Sequence, residues 1–157
     1  MELVAGDIRE ILVAIGTGDG GSLRDLDRFD AYLSLSGGLD PTWLDLFAVA
    51  VRASTDRVDP VDFIDARIEL GGADSSRADP GTHLVIERVD PAWITAVALI
   101  PDRCLDAIAG QWIDRLEGEL GILPSEEKPW IRELTADLVR FCRQANRAPD
   151  VIFIWSP

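Results

Sequence analysis

Val151-Ile152-Phe153-Ile154-Trp155 is an unbroken apolar run that follows Pro149. It is too short for an ordinary helix, and it is rich in β-branched and aromatic residues, so it reads as a strand. One other stretch is read in the same way. Residues 83–89, His-Leu-Val-Ile-Glu-Arg-Val, follow a Gly- and Ser-rich segment and carry the same β-branched content. The two runs are expected to pair as a minimal sheet, from about 83–89 and 150–155. The rest of the chain reads as helix. The expected fold is therefore mainly α, a single compact domain of six to seven helices with a small two-stranded sheet.

The helical readings rest on spacing and on end signals. Ile8, Ile11, Leu12 and Ile15 fall at i, i+3, i+4 and i+7, one face of a helix from about residue 7 to 15. Ser22 offers a cap to a second helix outlined by Leu23, Leu26, Phe29, Tyr32 and Leu33. Asp-Pro pairs stand directly ahead of helical patterns at 40–41, 59–60 and 90–91. Aspartate caps free N–H groups, and proline at the first helical position loses no hydrogen bond. These pairs predict helices through Trp43–Val51, through Val61, Ile64 and Ile68, and through Trp93 and Val97. Two longer helices follow. The first carries Leu105, Ile108, Ala109, Trp112, Ile113, Leu116 and Leu120 and ends at Gly121. The second runs from about 125 to 146, with acids near its start and Arg140, Arg143 and Arg147 near its end, as the helix dipole favours.

The chain has 157 residues, 47% of them hydrophobic, which suits one domain with a substantial core. Residues 71–81, Gly-Gly-Ala-Asp-Ser-Ser-Arg-Ala-Asp-Pro-Gly, are expected to form a flexible connection within that domain. Trp43, Trp93, Trp112 and Trp130 lie beside aliphatic residues in helical patterns and are expected in the core.

Charge narrows the classes of partner. Twenty-eight acids against 15 bases give a net charge of -13. Such a balance argues against nucleic acid and against an anionic membrane surface, both of which select basic patches. It favours a basic protein partner, which long-range attraction would steer in. No apolar run is long enough to span a bilayer, and the first residues lack the basic start of a secretory signal. Cys104 and Cys142 have no metal or redox spacing, so a reduced cytoplasmic compartment is expected.

The motifs that carry chemistry are sparse. The Gly-rich stretch 16–21 lacks the Gly-Lys-Ser/Thr ending of a phosphate loop. His83 is the only histidine, and no nucleophile elbow accompanies it. The most visible polar pattern is acidic. Asp56, Asp59, Asp62, Asp65 and Glu69 are spaced 3, 3, 3 and 4 apart. On a helix starting at 59, the last four share a face about 120° wide.

These five acids, with Trp155 as an aromatic interface anchor, form the expected partner-binding set. No catalytic residue, metal or cofactor is assigned. The expected function is a non-enzymatic acidic protein-binding module, in its specific form an immunity- or inhibitor-type protein that masks a basic partner. The alternative is a carboxylate-based enzyme, with Asp59, Asp62 and Asp65 as its first candidates, in which carboxylates three apart on a helix share a divalent metal. A third reading places Trp155 and the last strand at the contact of a homo-oligomer.

Overall fold

The computed structural model describes residues 1–17, 22–25, 27–35, 42–55, 62–68 and 84–156. Their elements run β1 (Glu2–Gly6), α1 (Ile8–Gly16), β2 (Ala31–Ser34), α2 (Thr42–Thr55), β3 (Ile64–Arg67), β4 (Val85–Val89), α3 (Pro91–Ala98), α4 (Leu105–Leu120), α5 (Glu127–Ala145) and β5 (Asp150–Trp155). Short 3₁₀ turns at Ser22–Arg24 and Asp102–Cys104 complete them.

The run 151–155 is the middle of the sheet. Strand order is β2-β1-β5-β4-β3, and every neighbouring pair is antiparallel. On one side Phe153 faces Leu3 of β1, and on the other it faces Glu87 of β4. Val151, Ile152, Phe153 and Ile154 are all buried. A strand covered on both faces has no polar side to alternate with, which explains the unbroken apolar run. Val151 and Phe153 join Leu3, Ala5 and Val89 beneath α2–α5, whereas Ile152 and Ile154 join Val4 and Ile86 on the α1 side. Helices therefore cover both faces of one sheet.

The expected pairing of residues 83–89 with the last strand is present, with Val85 opposite Trp155 and Arg88 opposite Ile152. The mainly-α, two-stranded expectation is overturned: among the described residues there are five α-helices and a five-stranded antiparallel sheet. Three segments account for the difference. Leu3-Val4-Ala5 is a short apolar strand with both faces covered. The stretch predicted as a helix over 22–33 is a turn followed by β2. There the Asp25 carboxylate accepts from Asp27 N at 3.0 Å, while the Asp25 carbonyl accepts from Arg28 N and Phe29 N. Aspartate side chains compete with the helix in this way for nearby amides. Leu23 and Phe29 are buried as expected, but against α1 and not along a helix stripe.

The third segment is the one assigned an acidic helix. Ile64–Arg67 is an edge strand, with Ile64 opposite Val89, and a register shift follows before Ala66 meets Arg88. Its exposed Asp65, Ala66 and Arg67 suit a sheet edge, where charge discourages further pairing. The acidic helical face is thereby overturned. Asp56, Asp59, Glu69, His83, most of the Gly-rich stretch and the 71–81 connection lie outside the described residues.

The helix readings elsewhere agree with the structure. Asp90 caps α3 by accepting from Ala92 N at 2.7 Å, with Pro91 at the first position. Gly121 ends α4 at φ 91, a conformation that favours glycine, and its N–H reaches Glu117 O. Ile131, Leu134, Leu138, Phe141 and Ala145 of α5 are buried. Trp93 and Trp112 are fully buried, and Trp43 and Trp130 pack against the same core.

Aromatic contacts, edge-on except for the tilted Phe47–Trp93 pair, carry the packing from α4 down to the sheet. They run Trp112–Phe47 at 4.9 Å, Phe47–Trp93 at 6.0 Å, Trp93–Phe63 at 4.9 Å and Phe63–Phe153 at 5.2 Å. The Trp112 indole N–H also donates to Trp43 O at 2.9 Å, tying α4 to the first turn of α2.

Candidate functional site

Where β4 and β5 meet the ends of α3 and α5, the molecule has a cleft of about 200 Å³. Its apolar wall includes Val89, Ile94, Ala145 and Val151, and its polar wall includes Asp65, Arg88, Thr95, Asn146 and Asp150. The fold places these groups by simple means. Arg88 follows Glu87 in β4 and lies on the opposite side of the strand, so its side chain emerges where the shorter β3 bends at its register shift. Asp150 is the first residue of β5, and Asn146 is the C-cap of α5.

Arg88 is held by two carboxylates of unequal closeness. Its Nε donates to Asp65 Oδ2 at 2.8 Å, and its Nη2 reaches the same oxygen. Asp150 Oδ1 is 4.0 Å from Arg88 Nη1, and its side chain is only 19% exposed. Among the described residues, Asp150 makes no other ion pair. The cleft thus holds two carboxylates, one of them loosely paired, against one guanidinium.

The structure separates the sequence-predicted residues. Asp65 is on the cleft. Asp62 is exposed just ahead of β3 and acts on Asp45 of α2. The pKa of Asp45 is raised, first by burial of its carboxyl and further by repulsion from Asp62, while a hydrogen bond from the Phe63 backbone opposes both. Trp155 is half-buried against the core, and its indole N–H donates to Glu87 Oε2 at 2.9 Å. Arg67 Nε and Nη2 donate to the other oxygen of Glu87, at 3.2 and 3.1 Å. This cluster satisfies a carboxylate that is 7% exposed.

Arg88, Thr95, Asn146 and Asp150 were not among the sequence candidates. Arg88 had a signal, because a charged residue inside the apolar run 84–89 needs a reason to be there. Thr95, Asn146 and Asp150 had none, since they meet only through the crossing of α3, α5 and β5.

Among the described residues, no group of three or more His, Cys, Asp or Glu side chains converges to hold a metal ion. No helix among them is long and apolar enough to cross a membrane. Both cysteines are free thiols, and burial drives the pKa of Cys142 strongly upward. No protein-family model matches the chain, and no curated protein or solved structure shows significant similarity to it.

Proposed function

We propose that this chain is a non-enzymatic binding module for a basic protein, with an inhibitor- or immunity-type protein that masks a basic surface as its specific form. The observation that carries the reading is the cleft, in which Asp65 and Asp150 outnumber Arg88 on a chain of net charge -13. Around the rest of the surface, Asp62, Asp114, Glu119, Glu126 and Glu133 are exposed and make no ion pair among the described residues. Surface carboxylates of this kind attract a basic partner over about 10 Å at ordinary ionic strength and quicken its approach. A cleft with both apolar and acidic walls then supplies a place for contact.

A pull-down from cell lysate at graded salt, read by mass spectrometry, tests the reading. Recovery of a basic protein that diminishes as salt rises is expected. Recovery of neutral or acidic proteins alone, insensitive to salt, overturns it.

A further inference from the structure

We infer that Glu117 and Lys128 form a charge-held clasp on the turn between α4 and α5, and that loss of either charge lets this turn open on its own, whatever the protein binds. The Leu123 amide N–H donates to a side-chain oxygen, Glu117 Oε1, at 3.2 Å. The same oxygen lies 2.7 Å from Lys128 Nζ, which reaches it from the far side of the turn. Two backbone bonds flank this contact, Gly121 N to Glu117 O at 3.1 Å and Glu127 N to Pro124 O at 3.0 Å. One carboxylate thus ties together the last turn of α4, the middle of the connection and the first turn of α5.

Helix electrostatics make the two charges depend on each other. A helix carries partial positive charge at its N-terminus and partial negative charge at its C-terminus. Glu117 stands in the last turn of α4, where no basic residue accompanies it, and Lys128 stands in the first turn of α5. Each therefore sits at the helix end that disfavours its own charge. Lys128 is also the only lysine of the chain. Removing one member leaves the other opposed by its helix, whereas removing both relieves both. The start of α5 has little else to fix it, because Glu126 at the N-cap position makes no side-chain cap bond.

The rest of the turn is weakly anchored. Of residues 121–125 only Leu123 is buried, packed into the core beneath α4 and α5. A segment with one buried side chain and few backbone bonds opens locally at far lower cost than the whole domain. Opening at this turn also changes the surface. Leu120 and Ile122 are already 57% and 94% exposed, and Leu123, 6% exposed when the turn is closed, would join them. The ion pair accordingly sets whether this end of the molecule presents two apolar side chains or three.

Native-state hydrogen exchange of the full chain, read by NMR at the Leu123 amide, tests the clasp, with the Leu138 amide in the middle of α5 as the measure of global opening. Glu117→Gln keeps the shape and an acceptor oxygen but loses the charge, and is expected to speed exchange at Leu123 by about tenfold. Lys128→Met keeps the stem but loses the cation, and is expected to speed it by about threefold. The double variant should show about the larger single factor and not the product of the two, because each loss relieves the other. Lys128→Arg, which keeps the cation, should stay within about twofold of the wild type. Exchange at Leu138 should not change in any variant. An unchanged Leu123 rate in Glu117→Gln overturns the inference. So does an equal rise at Leu138, which would mean that the whole domain is loosened, or a double variant that multiplies the single factors, which would mean that the two charges act separately. A rise with Lys128→Arg as large as with Lys128→Met overturns it as well, since charge would then not be what holds the turn.

Discussion

Trp155 and Glu87 share a hydrogen bond of 2.9 Å across the β4–β5 ladder, from the indole Nε1 to carboxylate Oε2. The same indole stacks on Phe153 at 6.5 Å with the rings 24° apart. Glu87 is the buried acid of the sheet, and it is satisfied by Trp155 on one oxygen and by Arg67 on the other. Trp155→Phe keeps an aromatic ring beside Phe153 and removes the donor, together with part of the ring area packed against the core. A bond to a charged group contributes about 1.5–3 kcal/mol, and leaving Glu87 half satisfied is the mechanism of the loss. Urea denaturation of the two proteins measures it, and a change below about 0.5 kcal/mol would show that water replaces the indole at no cost.

Phe153 is the pivot between sheet and helices. It is fully buried, sits in the central strand and touches Phe63 edge-on. Phe153→Ala is expected to cost about 3–5 kcal/mol, the transfer and cavity cost of deleting a buried ring. Val13→Ala, in a residue 58% exposed on α1, is expected to stay within about 0.5 kcal/mol. Equal losses at both sites, read by denaturation, would contradict the two-layer core described above.

What the sequence could reveal follows from how much of each signal is local. α3, α4 and α5 were legible because a helix buries one stripe, and the stripe repeats within a few residues, as in Ile131, Leu134, Leu138 and Phe141. β5 was legible because its whole run is apolar. β1 has the same character, but Leu3-Val4-Ala5 is so short that composition alone does not separate it from a helix lead-in. The reading of 59–69 failed for a more instructive reason. Asp-Pro followed by acids three apart satisfies helix arithmetic, yet Ile64–Arg67 pairs with Val85–Val89, and that pairing depends on residues some twenty positions away. Ile64 and Ile68 met the helix spacing, but a half-buried edge strand also keeps only a few apolar contacts. Of the partner-binding set, Asp65 reaches the cleft for a reason the helix reading did not contain. Its partner Arg88 is its neighbour across the sheet. Asp150 and Asn146 join them only in three dimensions.

The two cysteines should differ in reactivity. Cys142 is fully buried in α5, and burial disfavours its thiolate, whereas Cys104 is partly accessible at the turn before α4. Thiolate is the attacking species, and access decides the rest. Pulse alkylation at neutral pH followed by peptide mass spectrometry should mark Cys104 in the native protein and both residues in denaturant. Rapid native modification of Cys142 would mean that α5 opens far more readily than its buried face implies.

Asp45 provides a test of sign. Its pKa is raised above the ordinary value of 3.8, first by burial and then by Asp62. The folded state therefore binds this proton more tightly than the unfolded state does. The stability associated with it is fully present below about 3.8 and is lost as pH rises through the folded value. At neutral pH the ionised carboxylate works against folding. Asp45→Asn removes the charge yet keeps an oxygen able to accept from the Phe63 backbone. The variant should be more stable than the wild type near pH 7, by less than about 1 kcal/mol because solvent screens so exposed a site. The difference should vanish as pH falls below 4. An opposing effect makes the sign informative. Asp45 lies in the first turn of α2, where the helix dipole favours an anion. Thermal melts of both proteins across pH 3–7 decide between them. A variant less stable than the wild type at pH 7 would mean that the helix end outweighs burial and the repulsion from Asp62.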